Sequence, residues 1–296
     1  MQKTIVITGC STGFGREAAL RFGKRGDRVY ATMRGIQGKN AERAAALLAE
    51  AKAGKLDVRV LELDVTDTAS VDAAAAVIVR ESGAPDVVIN NAGVMYVGVT
   101  EAFDARELTA QLDVNVVGVH RVTRALLPAM RAARKGLFIN ISSVAGRLAL
   151  PTFGVYNASK WALEGYSAAL RGELASSGVD VVLVEPGPFK TELFGQTPTP
   201  KDADGRGAAY PSAFHDAMQG VGKMFEQVFG DASAPTDPGL VVDLFVKLAD
   251  QAPGTRALRT AVGLDFGVNA FNQHAVAFDA SVLAATGLAA IANIAR

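Results

Sequence analysis

The sequence predicts an α/β fold: a doubly wound, Rossmann-type parallel sheet of about seven strands in a single domain over residues 1–296. Short apolar runs alternate along the chain with longer segments of helical periodicity, which is typical of parallel strands joined by helices. A glycine-rich turn follows the first apolar run. Hydrophobic residues make up 49% of the 296 and charged residues 20%, so the chain can bury a large core.

Each predicted strand is a short run of apolar residues, as expected for strands that are covered on both faces. These runs predict strands at 5–7, 29–31, 58–63, 87–89, 137–141, 181–184 and 256–262. The segments between them predict helices at 13–24, 41–52, 70–80, 108–132, 158–175 and 238–250. We expect Pro128 to interrupt the helix over 108–132, because proline removes a helical hydrogen bond.

The regular alternation stops after Glu185. Residues 187–235 are rich in Pro, Gly and Thr and carry scattered large apolar side chains: Phe189, Phe194, Tyr210, Phe214, Met218, Phe225 and Phe229. Because so long an insertion in a compact domain is usually functional, we predict a substrate loop or lid. The alternative is a surface loop that its aromatic side chains merely fix to the domain.

Residues 264–296 form a C-terminal extension beyond the last predicted strand. Within it, the alanine-rich segment 275–294 predicts a helix that packs on the domain or faces another subunit. Asp279 and Asn293 reduce its apolar character, so we expect no membrane span.

Composition and charge exclude several classes of protein. Thirty Lys and Arg residues balance thirty Asp and Glu residues, so we expect no nucleic-acid partner. The single cysteine, Cys10, excludes an intrachain disulfide and a cysteine-rich zinc site, and it is typical of a reducing compartment. The three histidines have no metal-site spacing, so we expect no metal. Residues 3–7 lead directly into a strand pattern without a leader, and we therefore expect a cytoplasmic enzyme.

The glycine-rich turn at residues 8–15 joins the first strand to the first helix. Its glycines allow a tight turn and close approach of a ligand, and the helix N-terminus offers free N–H groups to a pyrophosphate. The spacing is Gly-x-x-x-Gly-x-Gly, not the commoner Gly-x-Gly-x-x-Gly, and a purely structural turn is the alternative. Its place at the end of the first strand favours a dinucleotide site formed by Gly9, Ser11, Thr12, Gly13, Phe14 and Gly15.

The ends of the second and third strands indicate which dinucleotide binds. NAD sites place an acid at the end of the second strand, whereas NADP sites supply an arginine. Here the strand leads to Arg34, which can pair with a 2′-phosphate; a solvated surface arginine is the alternative. Asp64, followed by Val65, is placed to meet the adenine amino group. We therefore predict NADP(H) as the preferred cofactor, with NAD(H) as the second choice.

Tyr156 and Lys160 carry the predicted chemistry. Residues four apart on a helix share a face, so both side chains can reach one ligand. An ammonium beside a phenol is expected to lower the pKa of the tyrosine, which then exchanges protons near neutral pH. Ser143 lies upstream where the fifth strand ends, at the sheet edge where such folds bind ligands.

Taken together, these motifs resemble the short-chain dehydrogenase/reductase family over nearly the whole chain. Asn90-Asn91-Ala92-Gly93, Asn115 and Pro186-Gly187 with Thr191 match further family motifs. The resemblance implies a catalytic tetrad of Asn115, Ser143, Tyr156 and Lys160. Tyr156 would exchange the proton with the substrate oxygen and Ser143 would polarise it. Lys160 would hold the nicotinamide ribose, and Asn115 a relay water.

The resemblance also implies cofactor contacts outside the glycine turn. Asn91, Ala92 and Gly93 would line the adenosine side, and Thr191 would bond the nicotinamide carboxamide. The remaining implied contacts are Pro186, Gly187 and Phe189. The glycine turn and residues 30–34 look most like the hydroxysteroid and retinol dehydrogenase branch, which implies a bulky apolar alcohol or carbonyl substrate.

Two other functions remain as alternatives. A catalytically silent NAD(P)-sensing protein would use the same fold, although such proteins usually lose the tyrosine or the lysine, and both are intact here. A nucleotide-sugar dehydratase or epimerase would show Gly-x-x-Gly-x-x-Gly at the turn. The family often pairs through helices, so we expect a homodimer or homotetramer. The small residues Ala158, Ala162, Gly165, Ala168, Ala169 and Gly172 would either permit that contact or pack on the chain's own sheet.

Overall fold

Seven parallel strands form one sheet in the computed structural model, which describes residues 2–289 of the chain. Their order across the sheet is β3-β2-β1-β4-β5-β6-β7, and every neighbouring pair is parallel. The strands are β1 (Thr4–Ile7), β2 (Arg28–Met33), β3 (Val58–Glu62), β4 (Val87–Asn90), β5 (Gly136–Ile141), β6 (Val179–Pro186) and β7 (Arg259–Val262). The predicted fold class is confirmed.

Helices cover both faces of this sheet. They are α1 (Gly13–Lys24), α2 (Ala41–Ala53), α3 (Thr68–Ser82), α4 (Ala105–Leu112), α5 (Gly118–Ala133), α6 (Gly154–Glu173), α7 (Glu192–Gly195), α8 (Ser212–Gly230), α9 (Gly239–Asp250) and α10 (Val268–Ala285). Alternate residues of β1 enter different cores: Ile5 and Ile7 pack in one with Phe22, and Val6 packs in the other with Phe138. Because both faces are buried, the strands are continuously apolar.

The break in the helix predicted over 108–132 lies at a different residue from the one expected. A single π-helical turn, Asp113–Val117, separates α4 from α5, and Pro128 lies inside α5. The predicted interruption at Pro128 is therefore wrong. The π turn coincides with Asn115, whose side chain bonds the backbone N and O of Val94, both at 2.9 Å. Such turns occur frequently at functional sites.

The segment 187–235 contains more regular structure than its composition predicts. Helix α8 occupies 19 of its residues. Phe214, Met218, Val221 and Phe225 follow a helical period, and all are half-buried. Two glycines inside the helix, Gly220 and Gly222, together with the prolines around it, conceal this period in the sequence.

At the C-terminus, α10 ends at Ala285. The part of the predicted helix over 290–294 lies outside the residues that the structure describes. Among residues 2–289, we find no helix with the length and apolar content needed to cross a membrane.

Candidate active site

A cavity of about 510 Å³ opens at the carboxyl ends of the strands. β1 lies between β2 and β4, so the direction of winding reverses there, and open α/β sheets bind ligands at such a point. All the predicted site residues line this cavity except Gly15 and Asn115. The predicted site residues therefore lie together around one cavity. Gly15 and Asn115 do not line it, but both contact residues that do.

The glycine turn is held against the segment that follows β4. Gly9 has a φ of +73°, and a Cβ there would lie 2.8 Å from the Cα of Ala92. A Cβ at Gly15 would lie 2.5 Å from Asn91 Nδ2, which donates to the carbonyls of Thr8 (2.9 Å) and Gly9 (3.1 Å). Gly15 and Asn91 therefore brace the turn.

The N-terminus of α1 is free to receive an anion. Thr12 stands at its N-cap position and makes no side-chain capping bond. The first-turn N–H groups lack helical partners, and Gly13 and Phe14 line the cavity. These residues fit the pyrophosphate of a dinucleotide.

The end of the cavity near the carboxyl ends of β2 and β3, called the cofactor end below, is lined by basic side chains. Arg34 is half exposed, and its Nη1 lies 3.9 Å from Asp64 Oδ2. Burial alone would raise the pKa of Asp64, but hydrogen bonds from Thr66 and the charge of Arg34 outweigh it and lower the pKa. Lys39 and Arg43 also line this end, and neither was predicted from the sequence. Their signal was a basic residue on each side of the start of the second helix.

Ser143, Tyr156 and Lys160 converge on the floor of the cavity. Helix α6 begins at Gly154, four residues earlier than predicted, so Tyr156 lies in its first turn. Lys160 Nζ lies 5.6 Å from the centre of the Tyr156 ring and donates to the carbonyl of Ile141 at 2.7 Å. Ser143 Oγ donates to the carbonyl of Pro186 at 3.4 Å and accepts a bond from Ala145 N at 3.1 Å, and its hydroxyl is close enough to Tyr156 to oppose a rise in the pKa of the phenol.

Burial sets the protonation of both α6 groups. It raises the pKa of Tyr156 to about 12, against the opposing effect of the Ser143 hydrogen bond. It lowers the pKa of Lys160 to about 8, against the opposing charge of Glu164. The expected lowering of the Tyr156 pKa by Lys160 is therefore wrong, because loss of solvation dominates in this pocket. Tyr156 stays protonated at neutral pH, as a proton donor must.

Asn115 supports the site from outside the cavity. Besides its bonds to Val94, its Nδ2 donates to Ser159 Oγ at 3.1 Å. Gln111, one turn earlier and fully buried, donates to Val94 O and accepts from Tyr96 N, both at 2.8 Å. The structure thus uses Asn115 and Gln111 to fix residues 94–96. Gln111 was missed, although its spacing of four from Asn115 places both on one helix face.

The outer half of the cavity is apolar. Apart from Asn157 and Gln196, its lining side chains are hydrophobic: Val94, Met95, Ala145, Leu148, Leu150, Phe153, Leu193, Phe194, Phe225 and Phe266. The ring of Phe225 lies 6.0 Å from that of Phe194 and 6.4 Å from that of Phe153, measured between centroids. Helix α8 thereby forms one wall of this half.

Comparison with known proteins gives a family match over most of the chain. A family model described as short chain dehydrogenase matches residues 3–202. The 3-ketodihydrosphingosine reductase of Bacteroides thetaiotaomicron is 42% identical over 187 residues, which cover 63% of this chain and 64% of that protein. The chain thus spans slightly less than two thirds of that relative. The 17-beta-hydroxysteroid dehydrogenase type 1 of Mus musculus is 36% identical, with coverage of 83% of this chain and 70% of that protein.

Solved structures share the fold over nearly the full length. A short-chain dehydrogenase from Streptomyces avermitilis superposes with a TM-score of 0.71 at 32% identity, covering 97% of this chain and 98% of that one. A metagenomic short-chain oxidoreductase in complex with NADP gives a TM-score of 0.67 at 27% identity, covering 88% of this chain and 96% of that one.

Proposed function

The chain belongs to the short-chain dehydrogenase family, and we propose that it is an NADP(H)-preferring oxidoreductase for bulky, apolar substrates. It would transfer a hydride between the nicotinamide and a secondary alcohol, a ketone or an aldehyde. One observation carries the proposal: Ser143, Tyr156 and Lys160 meet on the floor of a cavity with a glycine turn at one end and apolar walls at the other.

In the reductive direction, a bound nicotinamide would supply the hydride, and Tyr156 supplies the proton. Burial keeps the phenol protonated until the substrate oxygen gains negative charge, and the phenol then donates. Ser143 Oγ, beside the phenol, donates a hydrogen bond to the same oxygen. Lys160, held by the Ile141 carbonyl, stabilises the phenolate that remains. Tyr156 and Lys160 are both buried, which limits the access of water to the two groups.

The proposed preference for NADP(H) rests on the charges at the cofactor end of the cavity, where the adenosine would lie. Arg34, Lys39 and Arg43 line it together with Asp64 and Glu192, so the cations exceed the acids. A 2′-phosphate brings close to two negative charges and would bind a guanidinium bidentately. The NADP complex of the metagenomic oxidoreductase supports this choice.

The apolar outer half of the cavity supports the substrate class. With no charged side chain lining that half among the described residues, a charged substrate body would lose its hydration without compensation. The relatives are named for a ketodihydrosphingosine and a hydroxysteroid, each with a mainly hydrocarbon skeleton. We propose α8 and the rest of residues 187–235 as the lid over this half.

We also propose that the protein forms a homodimer or homotetramer through α6. Ala158, Ala162, Gly165 and Ala169 are exposed, and a Cβ at Gly165 would meet nothing within 4 Å. These residues do not pack on the chain's own sheet, which was the alternative explanation.

The test of function is NADPH oxidation with a panel of bulky ketones and aldehydes. We expect turnover with apolar members of the panel and little or none with analogues that place a charge beside the apolar wall. Tight NADPH binding without turnover of any member would instead favour the silent, NAD(P)-sensing alternative.

A further inference from the structure

A cluster of buried charged side chains lies behind the catalytic lysine, where α6 faces the end of the sheet. Glu164 follows Lys160 by one helical turn and is 2% exposed. Its Oε2 accepts a hydrogen bond from Arg259 Nε at 2.8 Å. Its Oε1 is buried and has no hydrogen-bond partner among the described residues. A buried carboxylate with a free oxygen is uncommon and calls for an explanation.

The loop that carries Ser143 makes room for this acid. A Cβ at Gly146 would lie 3.1 Å from Glu164 Cγ and 2.7 Å from Ser142 Oγ. The absence of a side chain at Gly146 therefore lets Glu164 extend beneath the catalytic loop. Ser142 Oγ is likewise buried without a partner among residues 2–289.

We propose that Glu164 is a positioning residue for the reaction, one whose buried carboxylate keeps Lys160 in its charged form. This inference rests on the function proposed above, in which the ammonium of Lys160 stabilises the Tyr156 phenolate and holds the cofactor ribose. Side chains four apart on a helix have Cβ atoms about 5–6 Å apart. At that separation, a charge interacts more strongly in the interior than it does in water.

The effect of burial explains why such help is needed. Burial lowers the pKa of Lys160 to about 8, and the charge of Glu164 acts in the opposite direction. Without the carboxylate, Lys160 would lose its proton at a lower pH and would be partly neutral under ordinary conditions.

Other charged groups surround this pair. Tyr156 lies on α6, Arg147 in the loop after β5, and Glu185 on β6. Arg259 lies on β7 and Asp279 on α10. Burial, followed by the charge of Glu164, raises the pKa of Glu185 to about 8, so Glu185 is mostly protonated at neutral pH. Glu164 is the acid of this cluster that is paired most closely with Arg259, at 2.8 Å.

The direct test is the titration of Lys160 by NMR in protein labelled with ¹³C at the lysine ε-carbons, with the signal assigned from its loss in Lys160→Arg. We expect Glu164→Gln, which keeps the size of the side chain, to lower the titration midpoint of Lys160 by ~1 pH unit. Glu173→Gln is the matched control, because Glu173 lies on the same helix but is exposed. This control should leave the midpoint unchanged.

If Glu164→Gln does not fold, a double variant, Glu164→Gln with Arg259→Gln, removes both members of the ion pair. The titration midpoint of Lys160 in this double variant is then compared with that in Arg259→Gln alone. In the active enzyme, the alkaline limb of kcat should move to lower pH in Glu164→Gln and not in Glu173→Gln. An unmoved Lys160 titration overturns the proposal whether or not the enzyme is active. Absence of wild-type turnover with a shifted titration would count against the proposed function alone.

Discussion

Arg43 Nη2 donates a hydrogen bond to Glu192 Oε2 at 2.8 Å, and this contact joins α2 to α7 across the cofactor end of the cavity. Both side chains are exposed by more than two fifths, so the pair contributes little to stability. Its position gives it a different importance, because both residues line the cavity at the end proposed to hold the adenosine of the cofactor.

We expect Glu192→Gln to accelerate NADPH dissociation several-fold while leaving the thermal midpoint of unfolding nearly unchanged. Stopped-flow release of NADPH measures the first effect and a melting curve the second. Glu50→Gln is the control, because it breaks a similarly exposed pair with Arg16 that does not line the cavity. Equal release rates in wild type and Glu192→Gln would show that the contact does not restrict the cofactor.

Replacing Tyr156 by Phe should abolish turnover and leave NADPH binding largely intact. The phenol is the proton donor at the cavity floor, and loss of a general acid typically costs ~10²–10⁴-fold in rate. Tyr166→Phe, on the same helix, is the control: its hydroxyl contacts His120 outside the cavity. The measurements are kcat and the dissociation constant for NADPH, and activity within a few-fold of wild type would remove Tyr156 from the mechanism.

Ketone reduction should slow as the pH rises through about 8. Burial lowers the pKa of Lys160 to about 8, so the ammonium is lost above that value, while Tyr156, with its pKa raised to about 12, stays protonated. The measurement is kcat between pH 6 and pH 10. Lys160→Arg keeps its charge over this range, so its residual activity should show no such decline. A wild-type profile that is flat to pH 10 would contradict the assignment.

Glu185 should make the fold less stable at alkaline pH. Its pKa in the folded state is raised to about 8, mainly by burial, above the ~4.3 of an unfolded chain. Its stabilising contribution is therefore complete below the unfolded value and is lost as the pH rises through about 8. Glu185→Gln should gain stability relative to wild type between pH 5 and pH 9, whereas Asp279→Asn, which is half exposed, should gain little. Melting curves at both pH values test this, and a pH-independent difference would refute it.

Secondary-structure elements that depend on the local pattern of apolar residues and glycines were predictable from the sequence. Helix α1 has the predicted bounds, and the glycine turn lies where the first strand ends. The π turn was not predictable, because bonds between Asn115 and the distant Val94 accompany it. The pKa direction of Tyr156 was not predictable either, since burial is a property of the folded chain.

In the site, too, residues that belong to local motifs were predictable and residues that depend on distant contacts were not. Ser143, Tyr156 and Lys160 belong to motifs that are short in sequence, and the structure brings them together. Gln111 and Glu164 carry no motif of their own, and they matter only through what packs against them. Apart from a helical spacing of four from Asn115 and from Lys160, long-range packing of this kind leaves no signal in a single sequence.

Cofactor preference gives the sharpest test of the proposed function. Arg34 lines the cavity, and its one ion pair among residues 2–289 is a distant contact of 3.9 Å to Asp64, so its guanidinium can turn to a 2′-phosphate. A charge-assisted hydrogen bond contributes ~1.5–3 kcal/mol, or roughly ten- to a hundredfold in affinity. Arg34→Ala should therefore raise the KM for NADPH by about that factor and leave the KM for NADH nearly unchanged.

The matched variants separate this role from a general effect of charge. Lys39→Ala removes a neighbouring cation of the same wall and should reduce the preference for NADPH less, because an ammonium cannot bind a phosphate bidentately. Arg16→Ala removes a cation outside the wall and should leave the preference unchanged. Met33→Asp, at the end of β2, should move the preference toward NADH, because a carboxylate accepts the free 2′-hydroxyl and repels the phosphate. The measurement is the ratio of kcat/KM for NADPH to that for NADH in each protein. If the wild type already favours NADH, or if Arg34→Ala leaves the ratio unmoved, Arg34 does not bind the phosphate.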